Sequence, residues 1–315
     1  MQLRLGQVGP EAFVIECRDG VRLVGQVRRA AGRADGTVII NPATGVRADH
    51  YARYADFVAA RGFDAISYDY RGIGLSRPAD LRRCGYRWAD WGRLDFDAVV
   101  RFARVRRPDL PVLVVGHSVG GALPGLADNA VHVRRILSVG GQFGYWPDYA
   151  GAQRTRLFWK WHVAMPLITA ACGYFPGQRL GWLEDLPAGV AYEWAFRRGR
   201  IADNHPYRQQ ADVLQRFSAV TAPILAVTMS DDPLATPAAI RRTLSCYANA
   251  PSQAVMLVPA DVGQEQVGHF GLFHARHASG FWVDSLAWLR DGVNPWRDRA
   301  LPPMPRPRPD IVRYY

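Results

Sequence analysis

The stretch PVLVVGHSVGGALPG, residues 111–125, places an apolar segment directly before a serine that is surrounded by glycines. Gly116 lies two residues before Ser118, and Gly120 and Gly121 follow it. Glycine adopts backbone angles that a Cβ would hinder, so this spacing predicts a strand, a sharp turn and then a helix. A serine at such a turn presents its hydroxyl beyond the end of the strand, as a nucleophile requires. A helix-capping serine is the alternative interpretation.

The rest of the chain alternates apolar segments with helical patterns. Continuously apolar strands separated by helices predict a mostly parallel, eight-stranded sheet with helices on both faces, and the first two strands suit an antiparallel edge. The other predicted strands are residues 12–17, 21–30, 37–42, 64–69, 135–141, 223–228 and 254–259. The predicted helices are residues 50–61, 88–106, 120–131 and 279–290.

One interval breaks the alternation of strands and helices. Residues 142–205 are rich in aromatic residues and proline, which predicts a helical cap inserted over the carboxyl edge of the sheet. The α/β core is then formed by residues 1–141 and 206–290. Residues 291–315 form a C-terminal tail rich in proline and arginine, and within it residues 301–315 are predicted to be extended and loosely held.

A nucleophilic serine needs a base that takes its proton and a carboxylate that orients the base. Asp231 and Asp232 follow the predicted strand 223–228, and His269 follows the strand 254–259. Ligands of open parallel sheets bind at the carboxyl ends of the strands, where these side chains are expected to meet. We therefore predict Ser118 as nucleophile and His269 as base, with Asp232 or Asp231 as the acid.

The negative charge that develops on a substrate carbonyl oxygen needs two backbone N–H donors. The first is expected from Val119, which follows the nucleophile. The second is expected from the loop after the strand 37–42, from Ala43 or, as the second choice, from Thr44. An ordinary strand-to-helix turn is the alternative interpretation of that loop.

Several motifs together resemble the α/β-hydrolase superfamily over nearly the whole chain. They are the Asp-Gly turn at 19–20, DYRGIGLS at 69–76, GHSVGG at 116–121, SDDPLATP at 230–237 and GHFG at 268–271. The resemblance favours Asp232, because it begins the DPLATP sequence that looks like the usual acid loop. The loop that begins NPATG at 41–45 departs from the common histidine-glycine loop and looks like that of a bacterial subgroup of predicted hydrolases without an assigned substrate.

The aromatic residues of the cap bear on the substrate. Phe143, Trp146, Trp159 and Trp161 are predicted to line an apolar cleft above Ser118, with simple packing against the core as the alternative. A small-molecule ester or thioester with an apolar acyl group, cleaved through an acyl-enzyme, fits this arrangement. Two other functions stay open: an acyltransferase that uses the same acyl-enzyme, and a ligand-binding protein of the same fold without turnover.

Composition excludes other classes of protein. The net charge is +11, but the arginines form only short clusters and accompany no nucleic-acid-binding motif, so no nucleic-acid partner is expected. Neither a secretory signal nor a transmembrane segment is expected. The chemistry requires no metal or organic cofactor. Four widely separated cysteines indicate reduced thiols in the cytoplasm, and a homodimer is left open.

Overall fold

The computed structural model describes residues 9–302. Eight of its strands form one sheet in the order β1-β2-β4-β3-β5-β6-β9-β10, and two short strands, β7 and β8, form a separate hairpin. The strands are β1 Glu11–Glu16, β2 Arg22–Arg28, β3 Thr37–Asn41, β4 Asp64–Tyr68, β5 Val112–His117, β6 Val133–Val139, β7 Tyr174–Phe175, β8 Leu186–Pro187, β9 Ile224–Met229 and β10 Ser252–Leu257.

The pairing of the strands confirms the predicted sheet. β1 pairs antiparallel with β2, and β2 pairs antiparallel with β4, while all pairs from β4 to β10 are parallel. Every residue of β3, β4 and β5 is buried, as expected of parallel strands that are covered on both faces. β5 lies between β3 and β6. The serine strand is therefore in the interior of the sheet.

Helices cover both faces of the sheet, and the side chains of a strand alternate between them. The helices are α1 Ala52–Ala59, α2 Trp88–Asp90, α3 Asp97–Arg106, α4 Gly151–Phe158, α5 Met165–Cys172, α6 Ala188–Ala195, α7 Tyr207–Ala219, α8 Pro237–Ser245 and α9 Phe281–Asp291. In β3, Val38 and Ile40 belong to one apolar cluster, together with residues of α1 and α9. Ile39 points to the other face and belongs to the second cluster, together with residues of α3, α7 and α8. The π-helical turns Trp91–Phe96 and Trp159–Ala164 join α2 to α3 and α4 to α5.

The helix predicted for residues 120–131 is wrong. The chain there forms three short 3₁₀ segments, Ser118–Gly121, Leu123–Leu126 and Asp128–His132. Pro124 lacks the N–H that an α-helix needs, and it disfavours helical geometry in the residue before it. Gly125 also lies so close to the ring of Phe217 that a Cβ would collide with it. This segment is shaped by close packing against α7 rather than by helix propensity.

Residues 142–205 contain α4, α5 and α6 and the hairpin of β7 and β8. This segment contacts loops at the carboxyl edge of the sheet: Glu184 N–H donates to Gly45 O after β3, and Ala150 N–H donates to Pro233 O after β9. It thus lies at the edge where β5 ends in Ser118. We keep the name cap for residues 142–205.

The C-terminal residues are packed up to the end of the described range. Trp296 stacks on Phe281 with ring centroids 5.2 Å apart, and Leu301 N–H donates to Ala254 O at 2.8 Å. The loosely held tail is predicted for residues 301–315, of which residues 303–315 lie outside the described residues. Among residues 9–302, no helix has the length and apolar character needed to cross a bilayer.

Candidate active site

Ser118 occupies a strained turn directly after β5. Its φ is 55°, which makes it the only residue other than glycine with a positive φ between residues 9 and 302. A side chain in this region of backbone space costs about 1–3 kcal/mol and persists only where the surroundings impose it. Residues held in this way concentrate at functional sites. The backbone thus singles out the serine that the sequence predicts as nucleophile.

Two glycines explain how the turn can close. A Cβ on Gly116 would lie 2.6 Å from the carbonyl carbon of Gly120 and from the amide nitrogen of Gly121, closer than real side chains come. A Cβ on Gly120 would lie 2.9 Å from the carbonyl carbon of Asn41 in β3. Small residues on both sides of Ser118 are therefore required by close backbone packing, as the spacing in the sequence indicates.

Asp232 and His269 form a buried pair. His269 Nδ1 lies 2.7 Å from Asp232 Oδ2, and Asp232 Oδ1 accepts the backbone N–H groups of Leu234 and Ala235 at 2.8 and 2.9 Å. Burial favours the neutral form of this carboxyl, but His269 and the two amides outweigh it, so the pKa of Asp232 is lowered. An ionised Asp232 fixes the proton of the imidazole on Nδ1, which leaves Nε2 free to accept a proton.

Asp231, the alternative acid, has a different environment. Its Oδ2 accepts the backbone N–H groups of Val267 and Gly268 at 2.8 and 3.0 Å, two residues and one residue before His269. The carboxylate that contacts the imidazole is that of Asp232. Asp231 instead holds the loop that carries His269.

Gln142 is a residue that the sequence interpretation missed. Its Nε2 donates to Ser118 Oγ at 3.2 Å, and its Oε1 accepts the backbone N–H of Gly144. The N–H of Gly144 needs an acceptor, and only the oxygen of the carboxamide can accept it. The oxygen therefore faces Gly144, and the NH₂ group faces the serine. Gln142 follows β6, the neighbour of β5, so the strand order of a parallel sheet is the signal that could have identified it.

Ser118 and His269 lie against the same short segment. A Cβ on Gly140 would be 3.2 Å from His269 Cε1 and 3.4 Å from Asp232 Oδ2, while Gln142 N–H donates to Ser118 O at 3.3 Å. Within residues 9–302, the side chain of Ser118 has no hydrogen bond to His269. The structure therefore brings His269 and Asp232 into contact and places Ser118 beside them, with its hydroxyl bonded to Gln142.

His117 links the two loops that flank the site. Its Nε2 lies 2.9 Å from the carbonyl oxygen of His269, and its Nδ1 lies 2.7 Å from Tyr51 Oη. A carbonyl only accepts, so Nε2 carries the proton and Nδ1 accepts from Tyr51. Burial and the neighbouring His269 hold the pKa of His117 well below its ordinary value, so the ring is neutral. His117 is buried and is turned into the protein rather than toward a substrate.

The predicted oxyanion donors differ in availability. Val119 lies in the first turn of a helical segment, where N–H groups have no partner within the helix. The N–H of Ala43 donates to Tyr51 Oη at 2.9 Å and is therefore already engaged. A substrate oxygen must displace Tyr51 to use Ala43, whereas Thr44, the second choice, is not subject to this competition.

The predicted cleft residues do not share one environment. Phe143 and Trp161 are buried, and Trp161 stacks on Trp194 with centroids 4.5 Å apart. Trp146 is 37% exposed and packs on Phe158. The remaining residue, Trp159, is 60% exposed. A side chain this open to solvent does not line a closed cleft, and we remove Trp159 from the set.

The fold and the site together define a class of protein. The sheet has eight strands and is mostly parallel, and one of its central strands ends in a strained serine. An Asp–His pair follows two later strands. This is the arrangement of the α/β-hydrolase fold. Residues 32–170, less than half of the chain, match the family described as "Serine aminopeptidase, S33". The chain therefore has the α/β-hydrolase fold, which confirms the fold that the resemblance of its motifs implies.

Solved structures agree with this assignment of the fold. A soluble variant of monoglyceride lipase from Saccharomyces cerevisiae has a TM-score of 0.63 and 13% identity, over 92% of this chain and 97% of that one. The Pyrococcus furiosus esterase Pf2001 has a TM-score of 0.52 and 16% identity, over 89% and 93%. The thioesterase domain from the curacin biosynthetic pathway has a TM-score of 0.52 and 15% identity, over 89% and 99%. No curated protein matches the sequence.

Proposed function

We propose that this protein is a serine hydrolase that cleaves carboxylic esters or thioesters with an apolar acyl group. The observation that carries the proposal is the buried contact of 2.7 Å between His269 and Asp232, beside a serine held at a φ of 55°. The three similar structures bear the names of an esterase, a lipase and a thioesterase, which supports the reaction class without specifying this chain's substrate.

The proposed reaction has two acyl-transfer steps. His269 Nε2 takes the proton of Ser118 as Oγ attacks the carbonyl carbon, and the ionised Asp232 stabilises the imidazolium that forms. The tetrahedral intermediate collapses when Nε2 gives the proton to the leaving alcohol or thiol, which leaves an acyl-enzyme. His269 Nε2 takes a proton from water as the water oxygen attacks the acyl carbon, and it returns this proton to Ser118 Oγ as the carboxylic acid leaves. Apart from the water, every group in these steps belongs to the chain.

We propose that Val119 N–H binds the oxyanion of both intermediates. The second donor is Ala43 once its N–H has left Tyr51, or else Thr44. Donors of this kind each contribute about 10²–10³-fold in rate when they are aimed at the developing charge.

Gln142 is proposed as a residue that positions Ser118. Its donation to Oγ holds the hydroxyl while leaving the serine proton free for His269. Gln142→Leu is expected to lower kcat by about 10-fold with little change in KM, since the lost contact is with the nucleophile rather than with the substrate. Gln209→Leu, at an exposed position, is the control and is expected to match the wild type. An unchanged kcat in Gln142→Leu would remove this role.

The apolar acyl group is the basis of a substrate test with p-nitrophenyl esters. We expect kcat/KM to rise about two- to fourfold for each added CH₂ group until the pocket is full, because each buried CH₂ contributes about 0.8 kcal/mol. Phe143→Ala should flatten this dependence, since Phe143 is buried next to Gln142 in the chain. Trp159→Ala should leave it unchanged, since Trp159 is exposed. Hydrolysis independent of acyl length would contradict the pocket.

The broader predictions from the sequence are not tested by the fold. The cytoplasmic location, the bacterial origin and the homodimer stay predictions, as do the division of the chain into core and cap and the roles of the individual site residues.

A further inference from the structure

The cap carries an exposed apolar surface on one continuous helical segment. α4, the π-helical turn and α5 follow one another without a break, and the residues at both junctions keep helical backbone angles. Trp159 is 60% exposed and Leu167 is 66% exposed, and Ala170 and Ala171 are exposed as well. A surface helix of a globular protein ordinarily presents charged and polar residues to solvent. This segment presents large apolar side chains instead.

The polarity of α5 is inverted. Its only side chain with a hydroxyl, amide or charged group is that of Thr169, which is fully buried and donates to the carbonyl oxygen of Met165 at 2.7 Å. The exposed positions of the same helix are Leu167, Ala170 and Ala171. The helix therefore turns its polar group inward and its apolar groups outward, as is typical of a surface that contacts a partner or a membrane.

Cations lie beside this apolar surface, and the local sequence has no acid to offset them. Residues 149–183 contain neither Asp nor Glu, and their cationic residues are Arg154, Arg156, Lys160 and Arg179. None of these side chains forms an ion pair among residues 9–302. This part of the cap thus has an uncompensated positive charge.

The position of Lys160 shows that these charges lie close to the apolar residues. Its Nζ is 4.5 Å from the ring centroid of Trp161 and 4.4 Å from that of Trp182, so cation–π contacts hold it beside the helix. Partial burial, and then the charge of Arg156, lower the pKa of Lys160. Two like charges are therefore neighbours here. We use the name outer cap face for the exposed apolar residues and the two cations: Trp159, Leu167, Ala170, Ala171, Arg156 and Lys160.

We propose that the outer cap face binds the surface of a membrane that contains anionic phospholipids. Helices that lie in the headgroup region of a bilayer combine tryptophan and leucine with basic residues. The apolar side chains enter the boundary with the acyl chains, and the cations are attracted to the negative headgroups. Tryptophan is enriched at this boundary because its large ring is apolar and its N–H is polar. Trp159, Leu167 and the two cations supply each of these contributions.

The charge of the face argues against a second copy of this chain as its occupant. In a symmetric dimer the same surface meets itself, so Arg156 and Lys160 would approach the equivalent cations of the other subunit. Residues 149–183 offer no carboxylate to separate them. An anionic lipid surface supplies the opposite charge over the whole face. The face contains none of the residues proposed for catalysis, so membrane binding does not require turnover at Ser118.

Cosedimentation of the full chain with unilamellar vesicles tests the proposal. The partition coefficient for phosphatidylcholine vesicles with about 30% phosphatidylserine should exceed that for pure phosphatidylcholine vesicles by at least about tenfold. The gain should disappear at about 1 M sodium chloride, where charges are screened within about 3 Å. Equal binding to the two kinds of vesicle, or no binding to either, would overturn the proposal.

Two pairs of variants locate the binding surface. Arg156→Gln/Lys160→Gln should weaken binding to the anionic vesicles by about 25-fold, about fivefold for each cation. Its matched control, Arg101→Gln/Arg104→Gln, removes the same charge from exposed positions of α3 and should bind like the wild type. Leu167→Asn should weaken binding by about fivefold, whereas Val105→Asn, at a position that is 79% exposed, should not. Equal losses in the two double variants would show that net charge alone governs binding and would overturn the face.

Further measurements separate lipid binding from self-association and from catalysis. Sedimentation velocity without lipid should show the same oligomeric state for the wild type and Leu167→Asn. A wild-type dimer that Leu167→Asn dissociates would make the face a protein interface and overturn the lipid assignment. If a variant does not fold, the dependence of wild-type binding on lipid charge and on salt still decides the question. Ser118→Ala should bind vesicles like the wild type, so failure of this proposal and failure of the hydrolase proposal are distinguishable.

Discussion

Ser118→Ala is expected to lower kcat/KM for p-nitrophenyl esters by about 10⁴-fold or more, because the variant has no hydroxyl that can form the acyl-enzyme. Ser245→Ala, at an exposed serine, is the control and should retain wild-type rates. A fluorophosphonate probe should label the wild type and Ser245→Ala but not Ser118→Ala. Equal labelling of Ser118→Ala would show that another residue is the nucleophile.

Ser118→Gly separates catalysis from strain at the same position. Alanine keeps a Cβ at a φ of 55°, whereas glycine adopts this conformation without a steric penalty. Ser118→Gly should therefore be as inactive as Ser118→Ala but more stable than it, by about 1 kcal/mol in the free energy of unfolding. Denaturant titration of the two variants measures the difference, and a glycine variant less stable than the alanine variant would contradict the strain at Ser118.

Asp232→Asn is expected to have the second large effect, a loss of about 10⁴-fold in kcat. An amide at this position can present its NH₂ group to His269 Nδ1, which moves the imidazole proton to Nε2 and removes the acceptor that Ser118 needs. The pKa of Asp232 is lowered, so the wild-type side chain is an ionised carboxylate at neutral pH. The substitution therefore replaces a negative charge with a neutral amide. Steady-state kinetics with a chromogenic ester measure the loss.

Asp231→Asn is the matched comparison in the same loop. Asparagine keeps an oxygen that accepts the N–H groups of Val267 and Gly268, so the position of His269 should change little. We expect a reduction of kcat by about 10-fold or less, far smaller than in Asp232→Asn. Similar losses in the two variants would mean that the contact between Asp232 and His269 does not carry the catalytic role proposed for it.

The sequence predicts those parts of the molecule that depend on local patterns. Apolar segments identify the six parallel strands of the main sheet, because strands covered on both faces are continuously apolar, and the segments on either side of the Asp-Gly turn at 19–20 identify the antiparallel β1 and β2. The glycines around Ser118 predict the sharp turn, since close backbone approach leaves room for no other residue type. His269 and Asp232 follow from their positions after strands, where a parallel sheet gathers its functional side chains.

Features that depend on distant contacts are less accessible from the sequence. The choice between Asp231 and Asp232 depends on which carboxylate meets the imidazole; their positions after the same strand do not decide it, and only the resemblance of DPLATP to the usual acid loop favours Asp232. Gln142 has no motif of its own and becomes visible only when β6 is placed beside β5. The helix predicted for residues 120–131 is wrong because apolar content suggests a helix there, although Pro124 and the packing of Gly125 prevent one.

The hydrogen bonds that run from Ala43 through Tyr51 and His117 to the carbonyl of His269 join the oxyanion loop to the base. A ligand oxygen that accepts the Ala43 N–H breaks its hydrogen bond to the Tyr51 hydroxyl. The change at Tyr51 then affects the ring of His117, which donates to the backbone carbonyl of His269. Substrate recognition and placement of the proton acceptor would then be thermodynamically linked rather than independent. Tyr51→Phe removes the hydroxyl that competes for the Ala43 amide, so transition-state mimics such as boronic acids should gain affinity relative to simple product acids.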